Sequence, residues 1–186
     1  RIALWHAASV APRRRYGVVA GFEIARGRKG SGVAFSATMP ENRKAFARAG
    51  AAGAAAAVVW GLLEPLDRRL LRCDYSDIAI LGKAVTRGPA WRPVGFAIHA
   101  ANGAAFGLVF EEMRRRTRLP AGPLALGMAL AEHVALYPLG WFVERYHPAR
   151  GEPGIPPLLR NPRAFAQATW RHAVFGVVLG RLAGRV

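Results

Sequence analysis

Six polar side chains interrupt three otherwise apolar stretches of the sequence. They are His99, Asn102, Glu132, His133, Arg171 and His172. Carboxylate and imidazole groups bind and release protons, attract cations and, in the case of histidine, ligate haem iron. Within a membrane segment, such residues are costly and mark ion pathways, proton relays or cofactor sites. We therefore treat these six as a candidate polar network.

Two of the histidines precede glycines in the similar segments HAANGAAFG and HAVFGVVLG. The residues at intervals of four are His99, Gly103 and Gly107, then His172, Gly176 and Gly180. Residues four apart share one face of a helix. In a bilayer, helices pack where small residues let their backbones approach. We expect both imidazoles to face neighbouring helices, with the four glycines as helix-packing positions.

Four long apolar segments must position these side chains, namely residues 49–63, 93–110, 119–143 and 164–180. Each is close to the roughly 20 residues with which a helix crosses a hydrocarbon layer of about 30 Å. A soluble bundle rich in alanine and glycine is the alternative. A soluble surface helix carries a charged face, however, and residues 93–110 contain no acidic or basic residue except histidine. The sequence therefore predicts an all-α, polytopic membrane bundle of four transmembrane helices over residues 39–186.

The polar residues lie near the centres of the second, third and fourth segments, and therefore at similar depth in a bilayer. Glu132 and Arg171 belong to consecutive, antiparallel segments, and an isolated charge at that depth costs ~3 kcal/mol or more. We expect each of these two residues to bind either the other or water, and their placement permits an ion pair. Because adjacent residues point about 100° apart around a helix, His172 would then face another helix, the one that carries His99.

The other charged residues lie mainly between the apolar segments. Lysine and arginine number 27 against 11 aspartate and glutamate, and a net charge of +16 is typical of nucleic-acid-binding proteins. The aromatic residues, however, lie in or beside the apolar segments, so we predict a lipid bilayer and no nucleic acid as partner. The arginines of the short loop 114–118 favour cytoplasmic termini. Glu64 and Asp67 are expected at a solvated helix end.

Residues 1–38 differ from the rest of the chain. They contain seven basic residues against one acidic residue, Glu23, and show no sustained helical periodicity. We expect this basic segment to be disordered or not natively translated, with translation beginning at Met39. Cys73 is the single cysteine, which excludes an intramolecular disulfide.

Three functions remain open for the polar network. We slightly favour a structural or assembly role, in which the network fixes helix register and the chain joins a second copy or another membrane protein. Alternatively, it lines a small cavity for a proton, an ion or a small polar molecule. In the third, His99 and His172 are the axial ligands of a haem-binding membrane subunit; we predict no other cofactor. No nucleophile motif or phosphate loop is present, which argues against an enzyme.

The first and third apolar segments end in the related sequences LLEPLDRR and ALYPLGWFVER, which suggests two related helical hairpins. The segments LEPLDRR, HAANGAAFG, AEHVALYP and ATWRHAVFG resemble the small, uncharacterised four-helix membrane proteins that are common in bacterial genomes of high GC content. The resemblance extends over residues 39–186. It implies a multi-pass protein of the bacterial plasma membrane and assigns no activity and no functional residue.

Overall fold

The computed structural model describes residues 41–184, and the expectation for residues 1–38 lies outside them. This part of the chain is helical and contains no strand, so the predicted all-α class is confirmed. One isolated bridge joins Tyr75 to Gly154. The helices are α1 (Glu41–Leu70), α2 (Asp77–Val85), α3 (Trp91–Thr117), α4 (Ala121–Leu136), α5 (Gly140–Tyr146) and α6 (Pro162–Ala183).

Three helical segments are long and apolar enough to cross a membrane. They are α1, α3 and the continuous segment Ala121–Tyr146, in which a short 3-10 turn at Tyr137–Leu139 joins α4 to α5. Pro138 lies in that turn. In the 18 most apolar consecutive residues of each segment, the buried share is only 44%, 28% and 11%, respectively. Apolar side chains therefore cover much of the outer surface of these segments. By the same measure α6, with 22 residues, is not apolar enough, since Gln167, Arg171 and His172 lie in its central part.

The first helical pair is formed by α1 and α3, which pack closely in an antiparallel arrangement. Gly103 lies against Gly53 and Ala57, and Gly107 lies against the backbone of Ala49. A Cβ atom at Gly103 or Gly107 would overlap a carbonyl oxygen of α1. These two predicted packing positions therefore lie where the backbones of α1 and α3 are closest.

The second helical pair is formed by α4 and α6, with the same antiparallel arrangement. A Cβ atom at Gly176 would lie 2.7 Å from the Cα atom of Leu126, and one at Gly180 would lie 2.8 Å from the Cα atom of Gly122. The pairs Gly53–Gly103 and Leu126–Gly176 are related by a shift of 73 positions in both partners. The two helical pairs thus share one packing register.

Contacts between the two pairs come mainly from α1 and α6, whereas α3 and α4 touch little although they are consecutive in the chain. The short helix α2 packs on α3. Its N-cap is Ser76, whose hydroxyl oxygen accepts a hydrogen bond from the backbone N–H of Ala79 at 3.0 Å. Because α3 and α4 diverge while α2 closes one side, a space is left at the centre of the four long helices.

Candidate functional site

A cavity of about 260 Å³ occupies the space between the two helical pairs. Residues from α1, α2, α3, α4 and α6 line it. The polar groups that line it belong to Trp60, Asp77, His99, Asn102, Glu132 and His172. Four of the six residues of the predicted polar network therefore lie around one cavity. The other two, His133 and Arg171, lie behind its wall.

Glu132 of α4 and His172 of α6 lie next to each other in the lining of the cavity. The imidazole Nδ1 of His172 lies 2.8 Å from the carbonyl oxygen of Ala168, so Nδ1 carries a hydrogen and donates it. The Nε2 atom of the same ring lies 3.9 Å from a carboxylate oxygen of Glu132. The two groups therefore lie side by side in the cavity wall, too far apart for a direct hydrogen bond.

His99 and Trp60 form the deep end of the cavity. The indole of Trp60 packs against the imidazoles of His99 and His172, with ring centroids 4.8 Å and 4.7 Å apart. His99 and Trp60 are each only 7% exposed, yet His99 Nε2 and Trp60 Nε1 have no hydrogen-bond partner among residues 41–184. An unsatisfied buried polar group costs about 1–3 kcal/mol. Both residues also line the cavity, so two unpaired polar atoms lie beside it.

His133 supports the cavity from behind. Its ring packs against that of His172 at a centroid distance of 4.8 Å. Its Nε2 atom lies 2.9 Å from the hydroxyl of Thr169, and that hydroxyl donates to the carbonyl oxygen of Phe165. The His133 Nε2 atom therefore carries a hydrogen and donates it to Thr169.

The ion pair that the sequence permits between Glu132 and Arg171 is wrong. Arg171 is 1% exposed and binds Asp67 through two hydrogen bonds of 2.6 Å, from Nε and Nη2. Its Nη1 atom donates to Asp77 at 2.9 Å and lies 3.4 Å from Glu64. Helix α6 packs on both α1 and α4. Because neighbouring residues diverge around the helix, Arg171 faces α1 while His172 faces Glu132.

The expectation that Glu64 and Asp67 form a solvated helix end is also wrong, since they are 4% and 2% exposed. Glu64 accepts hydrogen bonds from the hydroxyl of Ser76 at 2.5 Å and from the backbone N–H of Asp77 at 2.9 Å. The side-chain amide of Gln167 donates to Asp67 at 2.6 Å. The available signal was the spacing of three between Glu64 and Asp67, which places both on one helical face.

Asp77, which the sequence analysis did not select, links this buried cluster to the cavity. One of its carboxylate oxygens accepts from Arg171, and the other accepts from the hydroxyl of Tyr75. Burial raises the pKa of Asp77, but the charge of Arg171, assisted by His99 and the Tyr75 hydroxyl, outweighs it and holds the pKa below its ordinary value. Asp77 therefore stays ionised and places a negative charge in the cavity wall.

The arrangement of rings does not favour a haem between His99 and His172. The indole of Trp60 packs against both imidazoles, where a macrocycle with two axial histidines would have to lie. Residues 41–184 contain no group of three or more His, Cys, Asp or Glu side chains placed to hold a metal ion. The donor set around the cavity is suited to protons and cations instead.

No protein-family model, curated protein or solved structure matches this chain.

Proposed function

We propose that this chain is an integral membrane protein that transports protons or small cations, with the cavity between two related helical hairpins as their binding site. In this proposal α1, α3, the segment Ala121–Tyr146 and α6 are four transmembrane helices. Both termini and the arginine-rich loop between α3 and α4 face the cytoplasm of a bacterial cell, in accordance with the positive-inside rule. The lipid bilayer covers the exposed apolar surface.

The ionic cluster supports α6 as the fourth span. The main obstacle to its insertion is Arg171, because an unpaired charge in the bilayer centre is costly. In the structure, the guanidinium is enclosed by Asp67, Asp77 and Glu64 and by the carbonyl oxygen of Tyr75. The low exposure of Arg171 means that lipid does not meet this charge.

An internal duplication supports the two hairpins. The shift of 73 positions relates the glycine contacts of the two helical pairs, and it also relates His99 to His172 and Trp60 to His133. The tripeptides Glu64–Leu66 and Tyr137–Leu139, EPL and YPL, differ by the same shift. In transporters built from repeats, binding sites lie at the interface between the repeats, which is where this cavity lies.

The observation that carries the proposal is the charge of the cavity. Asp77 and Glu132 line it, and no lysine or arginine among residues 41–184 does. The nearby Arg171 is already bound by three carboxylates. With Glu132 as a further acidic group, acidic side chains outnumber the single guanidinium around the cavity, so the cavity attracts cations. His99 and His172 also line this cavity and add imidazole nitrogens to its polar groups.

A purely structural network accounts less well for the unpaired atoms. A polar network that only fixes helix register stabilises the fold most when every buried polar group has a hydrogen-bond partner. Here His99 and Trp60 line the cavity, and His99 Nε2 and Trp60 Nε1 have no hydrogen-bond partner in the described part of the chain. We therefore favour the cavity over the structural or assembly role.

The test is ion flux into liposomes that contain the purified full chain. A potassium diffusion potential drives cations inwards, and an internal dye reports proton entry. We expect flux above that of protein-free liposomes. Glu132→Gln should reduce it about tenfold, the effect of losing one charge-assisted contact. Glu112→Gln is the matched control, because Glu112 is half-exposed, pairs with Arg116 and lies outside the cavity.

Flux that equals the protein-free background would contradict the proposal. So would an equal loss in the Glu112→Gln control, which would indicate a general effect of removing a carboxylate from the protein. An alkaline carbonate wash of the source membranes should leave the chain in the pellet, and release into the supernatant would contradict the four spans.

A further inference from the structure

The cavity has an opening between α3 and α4. Asn102 and Leu136 form its rim and are exposed, whereas Trp60, His99 and Phe175 form its buried end. Asn102 lies 15 residues before the end of α3 at Thr117, and Leu136 lies 15 residues after the start of α4 at Ala121. A short loop connects these two helix ends. At 1.5 Å per residue, this places both about 22 Å from that connection and opposite each other.

The opening therefore faces the side of the helices rather than either end. Beyond its rim, exposed apolar side chains continue on the same side, with Val109 57% exposed on α3 and Leu139 58% exposed in the 3-10 turn that follows α4. In a membrane such side chains face lipid. A molecule dissolved in the bilayer can reach the rim without leaving the apolar phase.

The size and chemistry of the cavity suit only part of such a molecule. A volume of about 260 Å³ is below the range of about 300–1,000 Å³ that is usual for sites enclosing whole drug-sized ligands. The carboxylates of Asp77 and Glu132 attract a cation, and the rings of Trp60, Phe106 and Phe175 offer faces for a cation–π contact. These features fit a compact cationic head group.

We propose that the ligand of this cavity is an amphiphilic amine that enters sideways from the lipid between α3 and α4. Its ammonium group lies between Asp77 and Glu132, and its alkyl chain stays outside the rim among the lipid tails. The ammonium donates hydrogen bonds to the two carboxylates and to His99 Nε2. This inference rests on the proposed cation function and names the class of cation.

The test compares two labelled amines with the same charge, dodecylammonium and methylammonium, on the full chain in lipid nanodiscs. Binding is counted as the saturable part above protein-free nanodiscs. We expect dodecylammonium to half-saturate the protein at a concentration at least about tenfold lower, because the bilayer concentrates the alkyl chain at the rim. Glu132→Gln should weaken this binding about tenfold, as expected for one charge-assisted contact.

The rim is tested with Leu136→Trp, which enlarges an exposed side chain and should obstruct the opening. We expect a loss of dodecylammonium binding. Val134→Trp is the matched control, since Val134 is similarly exposed but lies 200° away around α4 and outside the cavity lining. Val134→Trp should bind as the unmodified chain does.

Unchanged dodecylammonium binding in Leu136→Trp would overturn lateral entry. Equal half-saturation by both amines would show that the site takes aqueous cations and would overturn the amphiphile. Absence of amine binding together with proton flux in liposomes would overturn this inference and leave the proposed function standing. Absence of both binding and flux would overturn both.

Discussion

At the scale of single residues, Arg171 is the centre of the ionic cluster beside the cavity and binds Glu64, Asp67, Asp77 and the carbonyl oxygen of Tyr75. A guanidinium suits this position because its planar fork of donors can bind Asp67 with two parallel hydrogen bonds and still reach Asp77. The same residue neutralises part of the charge that Glu64, Asp67 and Asp77 bring together. The cluster thus stabilises the contact between α1, α2 and α6 and leaves Asp77 at the cavity.

Replacing Arg171 by leucine should destabilise the protein strongly. Buried carboxylates would lose their partner, and removal of one member of a buried ion pair costs about 3–5 kcal/mol. Denaturant unfolding in detergent micelles, followed by circular dichroism, measures the change. Arg181→Leu is the control, because Arg181 is exposed at the end of α6, and it should change the free energy of unfolding by no more than about 0.5 kcal/mol. Similar small effects of both substitutions would contradict a stabilising ionic cluster.

Asp77 should make stability depend on acid pH. Its pKa in the folded chain lies below the ordinary value of 3.8, so ionised Asp77 stabilises the fold above that pH. This contribution is lost as the pH falls from 3.8 through the lower pKa of the folded state. We expect the free energy of unfolding to decrease over this interval, and to decrease less in Asp77→Asn. Parallel pH profiles for both proteins would contradict the role given to Asp77.

At the scale of helices, glycines determine how closely each pair packs. Gly176 meets the backbone of Leu126 and Ala125, which cannot move aside as a flexible side chain can. The same close approach brings together the side chains of His172, which lies one turn before Gly176 on α6, and His133 of α4. Glycine positions and the geometry of the cavity are therefore connected through the spacing of the helices.

The substitution Gly176→Val should destabilise the α4–α6 pair, by about 1–3 kcal/mol for overpacking. Gly127→Val on α4 provides the matched control, because no atom lies within 4 Å of a Cβ placed at Gly127. Both substitutions introduce the same β-branched side chain into a helix, so the intrinsic helix propensity cancels in the comparison. Equal unfolding free energies for the two variants would show that close packing at Gly176 contributes nothing.

At the scale of the whole molecule, the two helical pairs are alike in register but differ in chemistry. Trp60 contacts His99 in the first pair, and the corresponding contact in the second joins His133 to His172. The first pair carries the buried carboxylates Glu64 and Asp67 on α1, whereas the shift of 73 positions places Tyr137 and Gly140 at the corresponding positions of the second pair. This asymmetry places the ionic cluster of Arg171 on one side of the cavity, beside α1 and α2, whereas the opening lies on the side between α3 and α4.

The sequence by itself determined the features that depend on short stretches of chain. Hydropathy and length predicted apolar helices, three of which meet the requirement for spanning, and spacings of four placed His99 with its glycines on one face. Similar depth also grouped four residues that line one cavity. These properties follow from the period and rise of a helix and need no knowledge of its neighbours.

Only the tertiary structure decided which partners those faces meet. Similar depth permitted an ion pair between Arg171 and Glu132, but depth leaves the rotation of each helix about its axis undetermined. Glu64 and Asp67 were expected in solvent because they follow an apolar segment, yet α2 and α6 cover them. A partner is set by the packing of helices distant in sequence, and no local pattern encodes it. The cavity and its opening depend on that packing as well.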